Sequence, residues 1–156
     1  MCQIVNFTPH AACRVASHLR EQSRLEWIAN GIADPVELSL CWDAWNGPKL
    51  AVVDDAGKPV FVGGWIRHKL EPRAWSWTAF AEGADKAGAL IHKAMFRSMR
   101  QLERDGVRRF EAKCLDGPRR LFDWMLRVGF ILEGQHNAAG ANGETLLTFG
   151  RVTGGV

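Results

Sequence analysis

One corner of the sequence combines the residue types that an anion-binding site needs. Ala74-Trp75-Ser76-Trp77-Thr78-Ala79-Phe80 alternates apolar with small or polar residues, the period of a half-buried strand. Glu82-Gly83-Ala84-Asp85 then turns the chain, and residues 86–102 carry Ala87, Ile91, Met95, Met99 and Leu102 on one helical face. A helix that starts beside a strand end leaves backbone N–H groups without partners, and a phosphate or carboxylate can dock on them. The corner also carries two acids. Glu82 and Asp85 read as well as residues that cap and complement the positive helix end.

Other reactive residue types are dispersed. Cys2, Cys13, Cys41 and Cys114 lie far apart with no C-x-x-C pair, which predicts free thiols in a reducing compartment. His10, His18, His68, His92 and His136 make no metal-ligand spacing, and no metal site is expected. Lys86, Lys93, Arg97, Arg100 and Arg104 recur at helical spacing and give residues 86–104 one basic face. A solvated face is the plain reading; a phosphate, a nucleic acid or an acidic partner is the sharper one. The net charge of +3, from 20 basic and 17 acidic residues, is too small to imply nucleic acid by itself. Seven tryptophans stand in a chain with no tyrosine. Core packing accounts for any single one, whereas a large protein interface would use them exposed and beside arginines.

The elements that position these residues follow from period and punctuation. The chain has 156 residues, 47% of them hydrophobic, enough for one domain (residues 1–156) around a single core. A strand at 3–7 is closed by Thr8-Pro9, a cap followed by proline at the first helical position, opening a helix towards Leu19. A second helix lies around Leu25-Glu26-Trp27-Ile28 and stops at Asn30-Gly31; Asp34-Pro35 opens a third, over 36–45. Strands at 50–53 and 59–67 flank a turn at 54–58, a hairpin with a bulge or a loop of four to five residues. Gly63-Gly64 within the second of these predicts a bulge or a close approach by another group. After the long helix come a strand at 108–114, a helix opened by Pro118 and stopped by Gly129, and strands at 130–132 and 145–149. Between those last two, residues 135–142 form a polar loop. The order predicts an α/β (α+β) domain with a mixed sheet of about six to seven strands and helices on both faces. No apolar run is long enough to span a membrane, and no basic-then-apolar segment opens the sequence, so the expected location is cytoplasmic.

Leu50-Ala51-Val52-Val53-Asp54-Asp55-Ala56-Gly57-Lys58-Pro59-Val60-Phe61-Val62-Gly63-Gly64 resembles the second and third strands of the GCN5-related N-acetyltransferase (GNAT) superfamily. Arg120-Leu121-Phe122-Asp123-Trp124-Met125-Leu126-Arg127-Val128-Gly129-Phe130 resembles its closing helix, which typically finishes in Gly-Phe. The likeness extends over most of the chain, from about Ile4 to Phe149. Within the superfamily, Trp75, Trp77 and the segment 124–130 look most like the GNAT-like internal virion proteins of tailed phages.

The resemblance implies acetyl transfer from acetyl-CoA to an amine, small molecule or protein, with direct attack on the thioester. Such a site needs an oxyanion donor, a base for the amine and an acid for the departing thiolate. By position in the superfamily, Trp77, Thr78, Ala79 and Phe80 supply the strand contacts, and Gly83, Lys86, Ala87 and Gly88 the pyrophosphate loop. The sequence departs from the family's Arg/Gln-x-x-Gly-x-Gly/Ala loop: with Gly88 on its first glycine, Asp85 stands where Arg or Gln is usual and Leu90 where a small residue is usual. The tyrosine often used as thiolate acid is replaced by Met125. Glu111 and His68 are the candidates for the base, and Cys114 a thin candidate for the acid. The alternative expectation is a catalytically silent protein that uses this fold as a virion component or as a module binding another protein.

Overall fold

The computed structural model describes residues 1–117 and 119–154, so the helix start expected at Pro118 lies outside the described residues. The elements follow in the order β1 (Gln3–Asn6), α1 (Pro9–Ala16), α2 (Glu21–Ala29), α3 (Pro35–Ala44), β2 (Lys49–Val53), β3 (Pro59–Arg67), β4 (Arg73–Phe80), α4 (Gly88–Arg104), β5 (Arg109–Leu115), α5 (Arg119–Arg127), β6 (Ile131–His136) and β7 (Leu146–Val152). Seven strands form one mixed sheet in the order β1-β2-β3-β4-β5-β7-β6. All neighbours are antiparallel except β4 and β5. This is the α/β domain with helices on both faces that the element order predicts.

Local chemistry explains most boundaries. The Thr8 hydroxyl accepts from the Ala11 N–H and Asp34 from the Glu37 N–H, each with proline at the first helical position. The first helix stops at Ala16, short of Leu19, because Leu19 leaves helical geometry to form an isolated bridge with Ala81. The hairpin irregularity falls between Val52 and Val53 rather than at the glycine pair, whose register with β2 is unbroken. At Gly63-Gly64 the second expectation holds: a Cβ on Gly64 would lie 2.3 Å from the Pro48 carbonyl oxygen. The last hairpin is longer than period alone predicts, β6 running to His136 into the expected loop, with a register shift between Leu132 and Gly134.

Two apolar layers sandwich the sheet. On one face α4 and α5 bury Ile91, Met95, Met99, Leu102 and Met125 against Phe61, Trp65, Phe110 and Phe149. On the other, α1, α2 and α3 bury Val15, Trp27, Leu38 and Trp42 against Val62, Trp77 and Ala79. Trp77 stacks on Trp42 at 5.7 Å and meets the Trp45 edge at 5.4 Å; Trp27 packs on Trp42 at 5.4 Å. The early tryptophans are thus one cluster with the strand's Trp77, worth about 0.5–1.5 kcal/mol per ring pair beyond area. Trp65 and Trp124 belong to the opposite layer, and Trp75 is half-buried.

Candidate active site

The parallel pair β4–β5 comes apart. Arg73, Ala74 and Trp75 register with Arg109, Phe110 and Glu111, and beyond them 76–80 and 112–115 continue without pairing to each other. The result is a wedge-shaped gap in the middle of the sheet. Its β4 lip can be read residue by residue. The Ala81 N–H bonds the Val60 carbonyl of β3, whereas Phe80 donates its N–H to Ser23 Oγ at 3.1 Å and accepts from the Arg20 N–H at 2.9 Å. Strand alternation therefore turns the backbones of Trp77 and Ala79 towards β3 and those of Thr78 and Phe80 into the gap. Of the four strand residues expected to contact a ligand, Thr78 turns its backbone into the gap, Phe80 does so with its N–H and carbonyl already held by Ser23 and Arg20, and Trp77 and Ala79 contribute side chains to the second core.

At the mouth of the gap the chain turns through Gly83, at φ +90°, where a residue with a Cβ is strained. A short 3-10 turn, Ala84–Ala87, then leads into α4 at Gly88, two residues later than the apolar stripe predicts. No side chain caps either the turn or the helix, so the expectation that Glu82 and Asp85 act as caps fails. Asp85 instead meets Arg20, Nη1 to Oδ1 at 3.0 Å, and the Arg20 guanidinium lies 4.3 Å above the Phe80 ring. A cation from the α1–α2 connection thus stands at a helix start that the local sequence made look acidic. Lys86 and Gly88 are exposed, and a Cβ on Gly88 would meet nothing within 4 Å. Ala87 is buried beneath them.

On the other side, the β5 lip borders a cavity of about 260 Å³ lined by Cys114, Leu115, Asp116, Gly117, Phe122 and Phe149 among others. Burial pushes the Cys114 thiol up to about 12, helped by the negative charges of Glu26 and Asp116. A thiol held that firmly protonated is a poor acid, and Cys114 is best read as lining. A larger cavity of about 350 Å³ lies elsewhere, between Asn46, Arg67, Gln101 and Asp105 at the far end of α4.

The structure does not bring the two expected bases to the gap. His68 sits beyond β3, at the opposite end of β4 from Phe80, where its Nδ1 accepts from the Glu71 N–H at 3.1 Å and orders the β3–β4 turn. Glu111 lies where β4 and β5 are still paired, its Oε1 2.8 Å from Arg109 Nε and its Oε2 3.8 Å from Arg73 Nη1. Arg109 also clasps Glu133. That network ties β4, β5 and β6 together. Met125, at the tyrosine position, is buried in the first core. The basic face of α4 is exposed, with Arg100 paired to Glu103 at 2.8 Å.

The residue that sequence reasoning passed over is Glu26. Helix α2 crosses the gap: Ser23 holds the β4 lip, and one turn later Glu26 faces the β5 lip at Leu115. Its Oε1 is buried without a hydrogen-bond partner. Desolvation raises its carboxyl to about 7, against the opposing pull of the Leu115 amide and the Arg20 charge. Its one signal in the sequence is an acid set between Leu25, Trp27 and Ile28 in a helix.

Solved structures with the same arrangement are acetyltransferases. A GNAT-family acetyltransferase from Streptococcus pneumoniae superposes with a TM-score of 0.74 at 12% identity, covering 99% of this chain and all of the other. The Sinorhizobium meliloti phosphinothricin acetyltransferase, solved with AcCoA, gives 0.74 at 14% identity over 97% of this chain and 88% of its own. The Escherichia coli ribosomal-protein-S18-alanine N-acetyltransferase gives 0.74 at 11% identity, covering 100% and 96%. The fold is the GNAT fold. At these identities the likeness is one of architecture, and it lends no support to the narrower resemblance to virion proteins. No family model and no curated protein matches the sequence. Among the described residues no helix of this GNAT-fold chain is long and apolar enough to cross a membrane, and no cluster of three metal-ligating side chains occurs.

Proposed function

We propose that this chain is an acetyl-CoA-dependent N-acetyltransferase acting on an amine. The observation that carries the reading is the unpaired gap between β4 and β5 opening beside the uncapped start of α4. The residues present fit the cofactor: a helix start with no side-chain cap, with Arg20 and Lys86 beside it, suits a pyrophosphate, and the open side of Gly88 leaves room for it. Bound there, acetyl-CoA supplies an acyl group activated as a thioester. The Thr78 N–H, turned into the gap, is the donor for the carbonyl oxygen as it gains charge. Gly83 allows the sharp turn that sets the helix start against the strand end.

A second reading, a silent GNAT-fold module in a virion or another protein assembly, draws on the closed state of the same gap. The Phe80 N–H is already taken by Ser23, and Arg20 is paired with Asp85. Calorimetry and thermal melts with acetyl-CoA separate the two. A ligand at a hundredfold excess over Kd stabilises the fold by about 2.7 kcal/mol. No heat and no shift at millimolar acetyl-CoA, with the protein folded, rejects the transferase.

A further inference from the structure

Resting on the acetyl-transfer reading above, we propose that Glu26 is the proton-transfer group of this site, taking the proton of the attacking amine and returning it to the departing thiolate. Helix α2 and the start of α4 lie on opposite faces of the sheet, so a group reaching through the gap from the α4 side meets the α2 side chains. Ser23 and Glu26, one turn apart, are polar side chains that α2 places at the two lips, with Gln22 reaching Gly117 just beyond β5. Glu26 Oε1 is buried without a hydrogen-bond partner, an acceptor open to a proton donor that enters the gap.

The other candidates are otherwise engaged. His68 orders a turn at the far end of β4, Glu111 is held by Arg109 and Arg73, Met125 cannot donate, and no tyrosine exists. The groups that act on Glu26 are the Arg20 charge, preceding α2, and the Leu115 amide of β5; Cys114, beside Leu115, is itself pushed up by Glu26 and Asp116. Burial against these leaves the Glu26 carboxyl at about 7, suited to both directions of transfer near neutral pH.

The step balances with this one group. A neutral amine attacks the thioester carbonyl, forming the C–N bond and a tetrahedral adduct with N⁺–H and O⁻. The Glu26 carboxylate takes the N–H proton; the C–S bond then breaks, the carbonyl re-forms, and the thiolate takes the proton from Glu26. Amide and free thiol leave, and the carboxylate is regenerated.

The test compares wild type with Glu26→Gln. Thiol release from acetyl-CoA is followed with hydroxylamine, spermidine and an alanine-terminated peptide as amines, from pH 5.5 to 9, and acetyl-CoA affinity is measured by calorimetry. The proposal expects a kcat that rises to a plateau around pH 7 in wild type. In Glu26→Gln that limb is absent and kcat is roughly 10²–10³-fold lower, with acetyl-CoA affinity unchanged. If Glu26→Gln does not fold, Glu26→Asp takes its place, with a smaller loss and the limb retained. Equal kcat and the same limb in both proteins overturns the proposal while leaving the transferase standing. Binding without turnover on all three amines also counts against it. A wild type that does not bind acetyl-CoA removes the transferase and this role together.

Discussion

Replacing Glu26 by glutamine should stabilise the protein, by an amount that depends on pH. The carboxyl is ordinary in the unfolded chain, at 4.5, and raised to about 7 in the folded one, with burial the largest cause. Below pH 4.5 it is protonated in both states and costs nothing. Between 4.5 and about 7 the unfolded chain ionises while the folded one does not, so folding takes up a proton and stability falls as pH rises. Above 7 the folded state carries a buried carboxylate and the full penalty. At about 1.4 kcal/mol per pH unit, the interval from 4.5 to about 7 amounts to ~3 kcal/mol.

Glutamine keeps the shape and an acceptor for the Leu115 amide but has no charge to desolvate. Urea unfolding at pH 5, 6, 7 and 8 is the assay. The Glu26→Gln minus wild-type difference should grow by ~3 kcal/mol across the series, most of it below pH 7, and reach roughly 6–12 °C in Tm at pH 8. Parallel stability curves for the two proteins would mean that Glu26 is solvated or better paired than its burial implies. A stabilised but slow variant would be the usual signature of a strained catalytic group.

Other outcomes follow from single contacts. Gly64→Ala puts a methyl 2.3 Å from the Pro48 carbonyl and should cost about 2–3 kcal/mol in urea unfolding, whereas Gly88→Ala, open on that side and at φ −53°, should gain up to ~1 kcal/mol from helix propensity. Asp85→Arg frees Arg20 and adds a cation at the α4 start: acetyl-CoA should bind roughly tenfold tighter at 50 mM salt, the gain fading by 0.5 M, with folding stability changed by under about 1 kcal/mol because the pair is exposed. Iodoacetamide at pH 8 should alkylate exposed Cys13 and leave Cys114, held at about 12, unmodified until the protein unfolds, as peptide mass spectrometry would show.

What could be read from the sequence is what neighbours in sequence decide. The Thr8-Pro9 and Asp34-Pro35 caps, the bounds of β3 and the apolar stripe over 87–102, buried at all five of its expected positions, are set within a few residues of themselves. The resemblance to GNAT proteins rests on such segments and it gave the fold. The site depends on contacts between segments far apart. Arg20 and Asp85 are 65 residues apart, Ser23 and Phe80 57. Neither pairing has a local signature, and Glu26 looks like any helical acid until β5 is laid beside it. His68 and Glu111 lie away from the gap for the converse reason: each has a suitable side chain, but strand direction carries the first to the other end of the sheet and paired register holds the second where β4 and β5 are still joined.

The acidic corner shows how far such a contact can change the chemistry read from sequence. Judged by its own loop, Asp85 is a like charge that repels a pyrophosphate. In the fold its carboxylate is matched by the Arg20 guanidinium, which arrives from the α1–α2 connection. The pair also joins the two ends of the site, since Arg20 immediately precedes the helix that bears Ser23 and Glu26. An anion at the start of α4 competes with Asp85 for Arg20. Its arrival would therefore loosen the contact that holds the α1–α2 connection over the Phe80 ring, at the lip where the Thr78 amide must be reached. Binding at one end of the gap and access at the other are then linked through a single guanidinium. Arg20→Lys, which keeps the charge but loses the planar stacking surface, should weaken that link more than it weakens the attraction for phosphate.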